Sequence, residues 1–218
     1  MQETKGLKGS LARFIPISGK DALSTDGEMT AYVLDNCEIF FTPESSFFCK
    51  TDLSDDKYYP YYEVMLPRFQ KESEAFCDET YRELTEAKAF EMNIDFGHTC
   101  PNWQDVISLG FVGLKKRAEE YAAKYRNDPQ KSRFYSAVLK IYNAAERFIN
   151  RVALKAEEEG RLELAQGLKN LLAAPPQTLF EGIQLLLVYH GLQHFGEETW
   201  IRTFGRVDQL LYPLYCKE

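Results

Sequence analysis

The sequence predicts a mainly α fold with a few short strands, and three observations carry that reading. Apolar residues recur every three or four positions through most of the chain after residue 60. Capping residues and prolines fall where those stripes begin and end, and strand-like text is confined to the first 60 residues. Residues 1–60 read as irregular with short strands, 61–200 as helical, and 203–215 as a separate motif segment.

Within 1–60, "AYVLDNCEIFF" (31–41) and "SSFFCK" (45–50) look like strands joined around Pro43. The stretch 68–90 reads as a charged amphipathic helix. One apolar stripe follows at Ile107, Phe111, Leu114, Ala118, Tyr121 and Tyr125, and another at Phe134, Val138, Ile141, Ala145, Phe148 and Val152. Each predicts a helix with one buried face, the charges between (Lys115, Lys116, Glu119, Glu120; Glu157 to Glu159) standing in solvent. A shorter helix over 161–173 stops at Pro175 and Pro176. Thr178 and Glu181 then have capping-box spacing at the head of a helix over 179–195. That helix is apolar on all sides from Leu185 to Val188, which predicts an element sandwiched between neighbours, some of them beyond this chain.

At 218 residues and 44% hydrophobic, the chain is long enough for a sizeable core. Its net charge of -7 and pI near 5.2, with no basic stripe, argue against nucleic acid as a partner. The N-terminus lacks an apolar leader core, and the longest aliphatic run, Leu185 to Val188, is far below a bilayer span. The expectation is a soluble, cytoplasmic protein without a membrane partner. Five cysteines, an odd number with no CxxC, predict free thiols rather than a disulfide framework or a zinc site.

His190 and His194 have the i,i+4 spacing of a helical metal pair, but Gly191 stands where a zinc protease needs Glu, and no metal site is assigned. The tyrosines of "YYPYY" (58–62) suit closure over a core better than ligand stacking. "GFVG" (110–113) lies inside a helical stripe and follows no strand, so it is not a phosphate loop. No nucleophile elbow is present.

Three segments, "DFGHTCPNWQDVISLGFVGL" (95–114), "PPQTLFEGIQ" (175–184) and "TFGRVDQLLYPLY" (203–215), are more distinctive. In that order they resemble the N-terminal half of glycyl radical enzymes, the pyruvate formate-lyase-like superfamily. The helix text at 134–159 is similar too. The resemblance implies the helical N-terminal portion of a ten-stranded α/β barrel, hence a partial domain over 1–218. It implies a formate acetyltransferase-like or dehydratase-like enzyme of anaerobic metabolism, a lyase or transferase that cleaves C–C, C–O or C–N bonds by radical chemistry. None of the five cysteines lies in the family's Gly-Cys-hydrophobic-Glu context, and none of the thirteen glycines in its Arg-Val-x-Gly-Tyr context. No catalytic residue is therefore assigned, and the chain is expected to be inactive alone.

The resemblance implies no cofactor bound by this chain; an activase using S-adenosylmethionine and an iron-sulfur cluster would install the family's radical. The partner it implies is a C-terminal barrel half or a separately encoded subunit. The alternative is a non-catalytic helical interaction module or split-gene subunit. Carried over residue by residue, His98 takes the place of a pocket residue near a substrate hydroxyl, or else caps the helix near Asn102. Trp200 and Ile201 stand where dehydratase relatives carry His-Ser, which argues against a diol dehydratase and for an unassigned branch with a bulkier or less polar substrate. Arg206 and Asp208 fall in the strongest motif, as substrate contacts or as an ion pair anchoring the fold.

Overall fold

The computed structural model describes residues 22–49, 77–89, 100–197 and 203–218, with single positions at Leu11, Val64, Pro67 and Lys71. The helices are α1 (Ala22–Asn36), α2 (Glu79–Glu86), α3 (Trp103–Lys124), α4 (Pro129–Glu158), α5 (Leu162–Ala173), α6 (Leu179–Glu197) and α7 (Val207–Tyr215). The 30-residue α4 is the spine, packing against α1, α3 and α5; α6 packs on α5, α3, α1 and α7. The starts follow local chemistry. Asp128 accepts from the backbone N–H groups of Gln130 and Lys131, with Pro129 next to it at the first helical position. Asp78 caps α2 through the Tyr81 N–H.

The core joins Met29, Val33 and Leu34 of α1 to Phe148, Ile149 and Val152 of α4, and to Leu168, Leu171 and Leu185 of α5 and α6. Small residues at Ala144, Ala145, Ala153 and Ala156 keep the α4 face narrow, so its neighbours approach closely. Two arginines of α4 hold the end of α1. Arg147 grips Asp35 in a two-pronged ion pair at 2.9 and 2.7 Å. Arg151 donates to the carbonyls of Leu34 and Cys37 at 2.6 and 2.8 Å, setting a cation against the negative end of the helix dipole.

After α1 the chain crosses the helices as an irregular strap over 37–49, and side chains satisfy its backbone. Arg161 donates to the carbonyls of Ser45 and Thr42, with its guanidinium 5.0 Å from the Phe41 ring centre. The buried carboxamide of Gln184 closes both groups of Phe48, accepting from its N–H at 3.0 Å and donating to its carbonyl at 2.8 Å. One glutamine side chain thus does the work of a neighbouring strand.

The mainly helical expectation holds, with corrections. Residues 31–36 are the last turns of α1; beyond them only an isolated bridge at Ile39 is strand-like, and 45–49 form no strand. Of the residues that suggested strands, Val33, Ile39, Phe41 and Phe48 are buried as helix and strap, and Phe40 is exposed. Of the helix expected over 68–90, α2 covers Glu79–Glu86. "YYPYY" lies outside the described residues. In the apolar run of α6, Leu185, Leu186 and Val188 are buried within this chain and Leu187 is only half-buried. Both long stripes fade toward the α3–α4 turn, where Tyr121 and Phe134 are exposed and Tyr121, Tyr125 and Tyr135 stack on one another at 5.7 to 6.1 Å.

Replacing Gln184 by Leu keeps the volume and strands two buried backbone groups of Phe48. A loss of about 3 kcal/mol in urea unfolding is expected. A loss under about 0.5 kcal/mol would show that water, not the carboxamide, satisfies the strap.

Candidate functional site

The N-terminal turn of α3 begins the site. Asn102 caps the helix by accepting from the Asp105 N–H, and the next residue, Trp103, turns its indole inward. Its Nε1–H donates to the Thr203 carbonyl at 2.9 Å, and the thiol of Cys100 lies 3.6 Å from the same oxygen. The indole thus ties the first segment to the last, while the single thiol proton of Cys100 is shared between the Thr203 and Pro101 carbonyls, both at 3.6 Å. The Thr203 hydroxyl accepts from the Gly205 N–H, and Gly205 takes a left-handed φ of 63°.

Rings line the contact. Phe204 lies 5.3 Å from Trp103 and 4.9 Å from His190, and Tyr189 lies 5.9 Å from Trp103 and 5.8 Å from Phe111. Behind them the phenol of Tyr142 hydrogen-bonds Tyr189, and burial pushes it well above the ordinary tyrosine range. Arg117 of α3 beside it pulls weakly the other way.

Two glycines bring the segments close enough to touch. At Gly110, φ of 61° and ψ of -174° interrupt α3, and a Cβ there would lie 2.9 Å from the Pro175 Cα. At Gly182 a Cβ would meet Leu214 at 2.5 Å and Leu211 at 3.0 Å. At the head of α6, Thr178 Oγ1 accepts from the Glu181 N–H at 3.1 Å. The expected return bond goes elsewhere: Glu181 accepts from the Gln177 N–H and from the Asn170 side chain, both at 2.7 Å. The buried carboxylate ties the proline turn to α5 and is only half of a capping box.

The structure therefore unites the three motif segments, far apart in sequence, in one junction. Arg206 and Asp208 pair with each other, Nε–Oδ1 at 3.0 Å and Nη2–Oδ2 at 2.7 Å, with 69% and 65% of their side chains exposed. In this chain the pair stands in solvent, where an ion pair contributes little to folding. His98 and Trp200 lie outside the described residues. His190 packs against Phe204 with the rings tilted, and among the described residues no three potential metal ligands come together. Residues of the junction without a sequence-based assignment are Trp103, Thr203, Tyr189 and Gln193, while Glu181, expected as half of a capping box, has other partners. A usable signal existed for Gln193, a polar residue in a helix otherwise apolar enough to be buried.

The family model described as pyruvate formate lyase-like matches residues 56–218. The (2S)-3-sulfopropanediol dehydratase of Klebsiella oxytoca is 25% identical over 160 residues, which are 65% of this chain and 19% of that protein. The structure of 1,2-propanediol dehydration in Roseburia inulinivorans superposes with a TM-score of 0.78 at 16% identity, over 95% of this chain and 33% of that one. A glycyl radical enzyme from Archaeoglobus fulgidus gives a TM-score of 0.74 at 17% identity, over 92% and 33%. The chain thus spans about a fifth of the curated relative and a third of the solved chains.

The hydrogen bonds from Arg206 hold the Asp208 carboxyl at about 2, below its ordinary 3.8. Its contribution is therefore complete above pH 3.8 and is lost as pH falls through about 2. A carboxyl-detected NMR titration is expected to place Asp208 near 2, and near the ordinary value in Arg206→Ala. An unmoved midpoint in the variant would mean that the fork is not formed in solution.

Proposed function

We propose that this chain, which belongs to the pyruvate formate lyase-like family of glycyl radical enzymes, supplies the N-terminal helical part of a dehydratase-type enzyme that breaks a C–O bond by radical chemistry. The observation that carries the reading is the junction itself: Trp103 on Thr203, Gly110 on Pro175 and Gly182 on Leu214 bring together the three segments that resemble the family. The dehydratase type is supported by the sulfopropanediol relative, and the fold by the solved neighbours.

In this reading these residues bind and shape, and the radical relay belongs to the rest of the barrel. An exposed radical is quenched before it meets substrate, so the chain's part is to wall off a dry cavity and orient what enters it. His98 and Trp200 are the pocket residues, Trp200 favouring a substrate bulkier than a simple diol. Arg206 and Asp208 steady the turn into α7. A thiyl-forming Cys and a radical Gly come from the rest of the barrel, and the radical is installed by a cytoplasmic activase that uses S-adenosylmethionine and an iron-sulfur cluster under anaerobic conditions.

A second reading, a non-catalytic subunit or interaction module, is favoured by the outer side of α7. There Tyr212 and Tyr215 are 62% and 64% exposed, on a helix whose other side is buried against the bundle. That surface suits a protein partner, and the two readings differ in whether the partner completes a radical site.

Spin resonance separates them. The 218-residue chain incubated anaerobically with an activase and S-adenosylmethionine is expected to give no glycyl doublet. Addition of the complementary barrel polypeptide of the sulfopropanediol dehydratase relative is expected to give a doublet and diol-dependent turnover. A doublet assigned to any of this chain's thirteen glycines would overturn the division of labour. A stable complex with neither doublet nor turnover would favour the interaction module.

A further inference from the structure

Among the described residues, one buried side-chain polar atom has no hydrogen-bond partner: Oε1 of Gln193. A buried acceptor left unpaired costs about 1–3 kcal/mol, so its position is informative. The other glutamine of α6 shows how the fold treats a structural carboxamide, since Gln184 has both ends bonded to Phe48. Glu181, also buried on α6, has both oxygens engaged. Among the described side chains of α6, Gln193 is the exception.

Its place on the helix is defined by spacing. Gly182, Leu186, Tyr189 and Gln193 recur at intervals of four, three and four, which is one stripe. Gly182 meets α7 and Tyr189 meets Trp103, so this stripe faces the motif junction. Gln193 lies one turn beyond Tyr189 and three residues beyond His190, whose ring lies on Phe204. The lone acceptor thus sits on the stripe that meets the aromatic wall of Trp103, Phe204 and His190.

We infer that Gln193 is a ligand-binding residue: its carboxamide oxygen accepts a hydrogen bond from a hydroxyl of a small, partly apolar polyol whose carbon frame packs against that wall. The acceptor supplies direction and the rings supply area, the combination that small-molecule sites use. The polyol class rests on the dehydratase reading given above, whereas the acceptor rests on the geometry alone.

The test uses the whole chain and protein-observed NMR. The probe is 1-phenylethane-1,2-diol, and its dimethyl ether, which has no O–H to donate, is the control. The diol is expected to shift the Gln193 side-chain amide and the Trp103 indole N–H together and saturably, and the ether to bind at least tenfold more weakly. Gln193→Met, close in shape but without an acceptor, is expected to weaken diol binding at least tenfold while raising the unfolding midpoint by about 3 °C, because an unpaired group is removed. Gln193→Glu, which keeps the oxygen, is expected to retain binding within threefold. Unchanged diol affinity in Gln193→Met, or no saturable shift with any probe, overturns the inference. A lowered midpoint in Gln193→Met also overturns it, by showing a structural carboxamide. Phenylacetamide, an N–H donor that no dehydratase would process, separates the two levels: if it binds through Gln193 and the diol does not, the acceptor site stands and the dehydratase reading fails.

Discussion

Two absent methyl groups set the geometry on which the junction depends. Where Gly110 meets Pro175, backbone approaches backbone within a distance that no Cβ tolerates, and where Gly182 meets α7 a Cβ would push aside the terminal methyls of Leu214 and Leu211. Everything polar at the site follows from this closeness. With α6 drawn onto α7, the Thr203 carbonyl comes within reach of the Trp103 indole, and the rings of Phe204, His190 and Tyr189 close around it. Gly110 adds a second constraint, because its φ of 61° is one that a side chain rarely accepts.

Away from the junction, the chain is organised by the need to satisfy backbone groups that leave regular structure. The strap over 37–49 carries no ladder, and its carbonyls are met by Arg151 and Arg161 while Gln184 meets Phe48. Each of these residues belongs to a different part of the bundle: one to α4, one to the entry of α5 and one to α6. The strap therefore acts as a clasp across three elements, and Phe41 and Phe48 fill the core beneath it. Charge here serves connection more than folding energy, because the exposed ion pairs of the surface are individually worth little.

Much of this was legible in the residues. The long helices announce themselves by spacing, and the Pro175–Pro176 stop marks the turn into α6. The three motif segments suggested the family before any contact between them was known. What was not legible has definite causes. "AYVLDNCEIFF" is rich in strand formers, yet its first six residues end a helix because tertiary burial of Val33 and Leu34 outweighs local preference. Spacing alone does not reveal how many helices converge on the run Leu185 to Val188, of which three residues are buried within this chain and Leu187 is half-buried. Gln184 and Gln193 are the same residue type on the same helix, and only the contacts distinguish a closed carboxamide from an open one.

The pairing of Arg206 with Asp208 has an electrostatic consequence for anything that meets α7. Two residues of opposite sign, 2.7 Å apart at the start of α7, form a compact dipole whose far field cancels. The most charged stretch of the motif therefore exerts almost no pull beyond a Debye length. The pair itself therefore adds little steering for a partner at this face, where the fit of Tyr212 and Tyr215 remains and any salt dependence comes from the chain's net charge of -7.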